Sequence, residues 1–112
     1  MSDAPKPSSV TEFRLTSGEA TRRIHAIAKM SEKVSFGKHA RERMAERGIV
    51  DSQVFEVLRR GQVVETPEIS QSGDWKCKIV EALRGSRKVG VVVAFLKNGK
   101  LFLVTVEWED MR

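Results

Sequence analysis

Val89-Gly90-Val91-Val92-Val93-Ala94-Phe95-Leu96-Lys97-Asn98-Gly99-Lys100-Leu101-Phe102-Leu103-Val104-Thr105-Val106-Glu107-Trp108 is the stretch that decides the fold. Two apolar, β-branched runs flank Asn98-Gly99. An Asn-Gly pair supplies the positive-φ residues of a tight turn whose twist matches that of paired strands. The segment predicts an antiparallel hairpin with arms near 89–96 and 101–108. The first arm is apolar at nearly every position, which predicts a central strand covered on much of both faces. The second arm turns polar at its end, in Glu107, Trp108, Glu109 and Asp110.

Before the hairpin, Trp75, Cys77, Ile79 and Leu83 alternate with Lys76, Lys78 and Ala82. Period-two alternation predicts a half-buried strand with one polar face. Gly85-Ser86 turns the chain into the hairpin. Residues 62 to 65 read as a short β run, and 67 to 73 as a loop with Ser70-Gln71-Ser72-Gly73 as its turn. Upstream of Gly61 the period becomes helical. Thr16 and Glu19 have capping-box spacing, and Ala20, Ile24, Ile27 and Ala28 follow at helical intervals, which predicts a helix over about 17–31. Val34 and Phe36 lead into a second helix over about 38–47. Ala40 and Met44 form its apolar side, and Gly48 stops it. Asp51 or Ser52 caps a third helix, with Val54, Val57 and Leu58 facing inward and Gly61 at its end.

The expected fold class is therefore α+β. Two or three N-terminal helices pack on one face of a three- to four-stranded antiparallel meander. Residues 1–15 are expected to be a disordered tail, and 16–112 a single domain.

The chain has 112 residues, a net charge of +5 and a pI of about 9.7. A basic balance in a small domain favours an acidic partner, with nucleic acid first, and it also suits a merely soluble basic protein. The single cysteine, Cys77, excludes an internal disulfide and a cysteine-based zinc site. The polar N-terminus has no signal-peptide apolar run, and no segment is long enough to span a membrane, so a cytoplasmic protein with no membrane partner is expected. Two histidines without a neighbouring acid motif predict no metal site. No Gly-rich loop followed by Lys-Ser/Thr and no GxSxG elbow is present, so nucleotide and serine hydrolysis lack support and no cofactor is expected.

One helix carries residues suited to phosphate chemistry. In Lys38-His39-Ala40-Arg41-Glu42-Arg43-Met44-Ala45-Glu46-Arg47, residues 39, 43 and 47 recur every four positions and share one stripe. Metal-independent cleavage of RNA needs a base, an acid and cations for the developing phosphorane charge. An imidazole titrates near neutrality and can serve as base or acid. Arginines clamp phosphate in a bidentate way that lysine cannot. His39, Arg43 and Arg47 are therefore the candidate catalytic residues. In the alternative reading, His39 caps or packs at the helix start and the arginines pair with Glu42, Glu46 or sheet acids such as Glu107.

Lys76, Lys78, Arg84, Arg87 and Lys88 are the candidate nucleic-acid-binding residues, expected on an uncovered, basic sheet face. In the alternative reading Arg84, Arg87 and Lys88 form a solvated hairpin tip, and Lys76 and Lys78 are edge-strand charges that oppose aggregation. His25, offset from the apolar side of the first helix, reads as surface. Trp75 is expected to be buried, Trp108 half exposed, and Cys77 a small core residue.

The run from Phe36 to Gly61 resembles a small bacterial domain family of unknown function. That family is marked by an H-A-x-x-R-M-x-x-R-x-I helix followed by a V-x-x-V-L-x-x-G helix. Here these are His39-Ala40…Arg43-Met44…Arg47…Ile49 and Val54…Val57-Leu58…Gly61. The likeness continues through Gly73-Asp74-Trp75-Lys76-Cys77-Lys78 and Thr105-Val106-Glu107-Trp108. The family is commonly grouped with toxin ribonucleases of the RelE/MqsR kind. The resemblance implies a RelE- or barnase-like two-layer core. It also implies an endoribonuclease-like activity with RNA as substrate, and an antitoxin or other acidic protein as partner. His39, Arg43 and Arg47 fall on the marked helix positions. The chain has no tyrosine, a residue that the better-known toxins use. The competing expectation is a non-catalytic module that binds nucleic acid or protein through a basic sheet face.

Overall fold

The structure, a computed structural model, describes residues 14–83 and 87–110. Three helices and a short 3₁₀ turn pack on one face of a mixed six-stranded sheet. The helices are α1 (Ser17–Ala28), α2 (Lys38–Arg47) and α3 (Asp51–Arg60), with the 3₁₀ turn at Ser31–Lys33. The strands are β1 (Val34–Phe36), β2 (Gln62–Val63), β3 (Glu68–Ile69), β4 (Trp75–Ala82), β5 (Lys88–Phe95) and β6 (Leu101–Trp108).

Local signals set most element ends. Thr16 caps α1, its hydroxyl accepting from the Glu19 amide at 3.1 Å. The helix stops at Ala28, short of the expected end, because the chain tightens into the 3₁₀ turn that leads to β1. Gly48, at φ +68°, ends α2 in the left-handed conformation that glycine favours. At α3 the cap is Val50, not Asp51 or Ser52, and the Gln53 side chain accepts from the Val50 amide at 3.0 Å. The hairpin closes with a three-residue loop. Leu96 and Lys100 pair across it (2.9 Å), Gly99 adopts φ +85°, and the Asn98 carboxamide oxygen accepts from the Lys100 amide.

The expected α+β class and the β4-β5-β6 antiparallel meander are both present. The sheet is larger than the three or four strands expected, and it is not purely antiparallel. Its order is β1-β6-β5-β4-β2, with β3 also paired to β4. β1 runs parallel to β6, Val34 opposite Leu101 and Phe36 opposite Leu103. The sequence offered Val34 and Phe36 only as a lead into a helix, because a parallel partner almost seventy residues away leaves no local signal. β2 is shorter than the expected run, and β3 falls within what was read as loop.

The core lies between the layers. Ala20, Ile24, Ala40, Met44, Val54, Val57 and Leu58 from the helices meet Ile79, Val89, Val91, Val93, Leu101, Leu103 and Val106 from the sheet. Cys77 joins this core, and Trp75 and Trp108 are partly buried against it. Leu15, placed at the end of the expected tail, is 1% exposed and belongs to the core. The rest of that tail, residues 1–13, lies outside the described residues.

The outward face of β5 is not covered by a further layer of described elements, contrary to its expected burial on both faces. Gly90 and Ala94 are buried there by neighbouring side chains, and Val92 is half-buried. A bulge between Val92 and Val93 places Val104 as the extra residue of β6.

Candidate functional site

The His39-Arg43-Arg47 stripe runs along α2, which packs mainly on β6. His39 is exposed at the start of the helix. Arg47 lies eight residues further on, roughly 12 Å along the axis at 1.5 Å per residue. Arg43 pairs with Glu46 at 2.6 Å. The Arg47 guanidinium donates to the Val106 carbonyl at 3.2 Å, on a stretch of β6 beyond its pairing with β1. The Trp108 indole N–H donates to the Arg47 carbonyl at 3.0 Å. That bond satisfies one of the carbonyls that a helix end leaves without an internal partner. Arg47 thus docks α2 on β6, and Arg43 pairs within the helix at its surface.

Arg41, on the other flank of α2, was not singled out by the sequence. Its guanidinium sits 3.8 Å above the Phe36 ring and forms a two-pronged pair with Asp51, at 2.6 and 3.3 Å. The hydrogen bonds from Arg41 hold the Asp51 carboxyl below its usual pKa. Phe36 meets Phe55 edge to face, and Arg59 lies over Phe55 while donating to the Ala28 carbonyl at 2.8 Å. His25, read as surface, is half-buried, and its Nε2 lies 2.8 Å from the Gly61 carbonyl oxygen.

The outward sheet face holds Lys76, Lys78 and Lys88 of the second candidate group, but it is not a basic concavity, and Arg87 lies on the helix side of the sheet, beside Trp108. Lys78 sits between Glu107 (3.3 Å) and Glu109 (3.1 Å). Burial works to lower the Lys78 pKa, and the two carboxylates outweigh it, leaving the ammonium above its ordinary value. Arg87 pairs with both oxygens of Asp110 and lies 4.0 Å above the Trp108 ring. Those contacts lower the Asp110 pKa. Trp108 therefore joins a residue from each candidate group, Arg47 through the backbone and Arg87 through stacking. Lys76 and Lys88 are exposed. Arg84 lies outside the described residues.

Two depressions open on this face. One, of about 470 Å³, is lined by Val64, Val80, Lys88, Glu109 and Asp110. The other, of about 210 Å³, includes Glu65, Glu68, Lys76, Lys78 and Glu107 in its wall. Gly90 lies beneath the Glu109 carboxylate. A Cβ there would meet Glu109 Oε2 and lie 3.0 Å from Lys78 Cδ. Oε2 is itself buried and, beyond its ion contact with Lys78, accepts no hydrogen bond among the described residues.

The charge excess is segregated by layer. Residues 14–60 carry eleven Lys and Arg against six Asp and Glu, and residues 61–112 carry eight against seven. The helical segment therefore holds a net +5 and the sheet segment +1. The sequence contained this split. It acquires meaning only when the helices become one layer and the Lys78 and Arg87 charges are seen to be matched.

Among the described residues no group of three or more His, Cys, Asp and Glu is placed to hold a metal ion. No described helix is long and apolar enough to cross a membrane. Fold and site together define a small two-layer α+β domain with a basic helical layer and a charge-paired open sheet face. The chain belongs to the domain of unknown function family DUF4258, whose profile matches residues 36–108. The match runs from β1 to β6 and leaves α1 outside it. No curated protein and no solved structure matches the chain.

Proposed function

We propose that the protein binds RNA through its helical layer and acts on it as a metal-independent endoribonuclease-like domain of the toxin type. The observation that carries this reading is the segregation of charge. The helical segment holds a net +5, with His39 exposed in that layer beside the exposed Lys38. A polyanion is attracted to such a layer by release of its counterions. His39 supplies an imidazole, a group that can serve as base and acid. In the reaction the imidazole takes the 2′-hydroxyl proton and the 2′-oxygen bonds to phosphorus. The bond to the 5′-oxygen breaks, and that oxygen receives the proton from the imidazolium. The products are a 2′,3′-cyclic phosphate and a 5′-hydroxyl. An acidic antitoxin-type protein would compete with RNA for the same layer.

The test is cleavage of single-stranded RNA in EDTA with analysis of the ends formed. Cyclic phosphate ends, and a loss of roughly 100-fold or more in His39→Ala, support the proposal. Intact RNA at high protein ratio, or wild-type cleavage by His39→Ala, overturns the catalytic part.

A second reading, a non-catalytic binding module, is favoured by Arg43 and Arg47. Arg47 is engaged in docking α2 on β6 through the Val106 carbonyl, and Arg43 pairs with Glu46 on the surface of α2. It is distinguished by salt-sensitive RNA binding without turnover, and affinity that does not change with salt refutes RNA binding in both readings.

A further inference from the structure

A groove of about 220 Å³ opens between the last turns of α1 and the tip of the β5–β6 hairpin. It shares no residue with the His39 stripe. Two small residues leave the space open. Ala26 is exposed on α1, and Gly99, at φ +85° in the hairpin turn, has nothing within 4 Å of where a Cβ would stand. The flanks of Ile27, Phe95 and Leu96 are therefore only half-buried. Met30 extends the apolar surface. It is 41% exposed, and its amide donates to the Ile27 carbonyl at 3.0 Å, so it stands one turn further along. Methionine adapts its shape to whatever packs on it.

Arg23 and Lys100 are the charged residues of the wall, and the wall holds no acid. Arg23 gives its Nε to Glu19 at 3.3 Å. Its two terminal nitrogens and the Lys100 ammonium meet no carboxylate among the described residues. The depressions on the sheet face differ, since each has carboxylates in its wall.

Size and chemistry select the occupant. The groove is smaller than the roughly 300–1,000 Å³ of small-molecule sites, and it suits one or two side chains. An apolar wall offers a nucleotide base few hydrogen-bond partners, whereas burial of an apolar side chain is favourable by itself. The unmatched cations call for carboxylates beside that side chain. One wall, α1, lies outside the family-matched residues 36–108, so the groove is not a property that the family match carries.

We infer that this groove anchors an acidic protein segment, which inserts one large apolar side chain between α1 and the hairpin and sets carboxylates against Arg23 and Lys100. The inference rests on the acidic-partner part of the function proposed above and not on RNA cleavage.

The test is NMR titration of the ¹⁵N-labelled full chain with a short acetylated peptide of glutamate and aspartate around a central leucine pair. The amides of Ala26, Ile27, Phe95 and Gly99 should shift. Serine in place of the leucines should weaken binding roughly tenfold. Ala26→Glu, at an exposed position outside the core, should weaken it by a similar factor, and Lys100→Glu by roughly two- to fivefold. Equal binding of the serine peptide, shifts confined to other amides, or unchanged binding by Ala26→Glu overturns the groove. Equal shifts of the same amides with a uridine oligonucleotide alone would assign the groove to RNA and also overturn it. So would tighter peptide binding by Phe13→Ala, which gives the groove to the chain's own Glu12-Phe13, or self-association that Ala26→Glu abolishes, which gives it to a second copy. RNA cleavage without peptide binding removes the groove and keeps the catalytic reading. Peptide binding with intact RNA does the reverse.

Discussion

Replacing Gly61 with alanine should destabilise the domain by about 1–3 kcal/mol, the usual range for overpacking a closely filled site. Gly61 joins α3 to β2 with φ −78° and ψ −175°, ordinary extended backbone that any residue adopts. The cost therefore comes from space, not from dihedral strain. A Cβ would lie 2.7 Å from the Val57 carbonyl oxygen, 2.7 Å from the Val80 carbonyl oxygen and 3.0 Å from Ile79 Cγ1. Two of those atoms are backbone, one at the end of α3 and one in β4, so relief requires the helix to move off the sheet. Such a move would also stretch the His25 bond to the Gly61 carbonyl, which ties α1 to the same point. In a domain of this size the loss corresponds to roughly 5–15 °C in Tm. Thermal unfolding followed by circular dichroism measures it. Gly48 is the control, with φ +68° and nothing within 4 Å of a Cβ. Asparagine tolerates that conformation, so Gly48→Asn should be mild, whereas Gly61→Asn should be at least as harmful as Gly61→Ala. A Gly61→Ala variant within about 2 °C of wild type, or a Gly48→Asn variant more harmful than Gly61→Asn, would refute the steric reasoning.

Trp108→Phe keeps an aromatic ring, though a smaller one, and removes the indole N–H that donates to the Arg47 carbonyl. It should cost about 1 kcal/mol, read as a lower urea midpoint with an unchanged slope. Lys78→Met leaves Glu107 and Glu109 facing each other without their ammonium, so the variant should be less stable than wild type at neutral pH. The gap should close in acid as the carboxylates protonate. In the wild type the Lys78 pKa is raised, so its contribution is complete below the ordinary lysine value and is lost as pH rises through the higher folded value. A Lys78→Met gap that persists unchanged to pH 3 contradicts this. Burial pushes the Cys77 thiol up to about 11. At pH 8 it should therefore resist an alkylating reagent until denaturant is added, and fast labelling of native protein would count against its burial.

The sequence by itself determined the α+β class, the helix over 38–47, the β6 arm over 101–108 and the inward faces of α3 and β4. Each of these rests on signals carried by neighbouring residues, such as helical spacing, period-two alternation and a glycine stop. It also supplied the His39-Arg43-Arg47 stripe, which can be read in one short run. Only the tertiary structure decided what those residues touch. It directed Arg47 to the Val106 carbonyl, Arg43 to Glu46, and Arg87 onto Trp108 and Asp110, and it enclosed Lys78 between two carboxylates. A charge in the sequence has a sign but no partner. Lys78 and Glu107 are twenty-nine residues apart and become neighbours only through the register of β4, β5 and β6. The same long-range register created the parallel β1–β6 pair and turned an apparently basic sheet face into a charge-paired one, leaving the net positive charge on the helices.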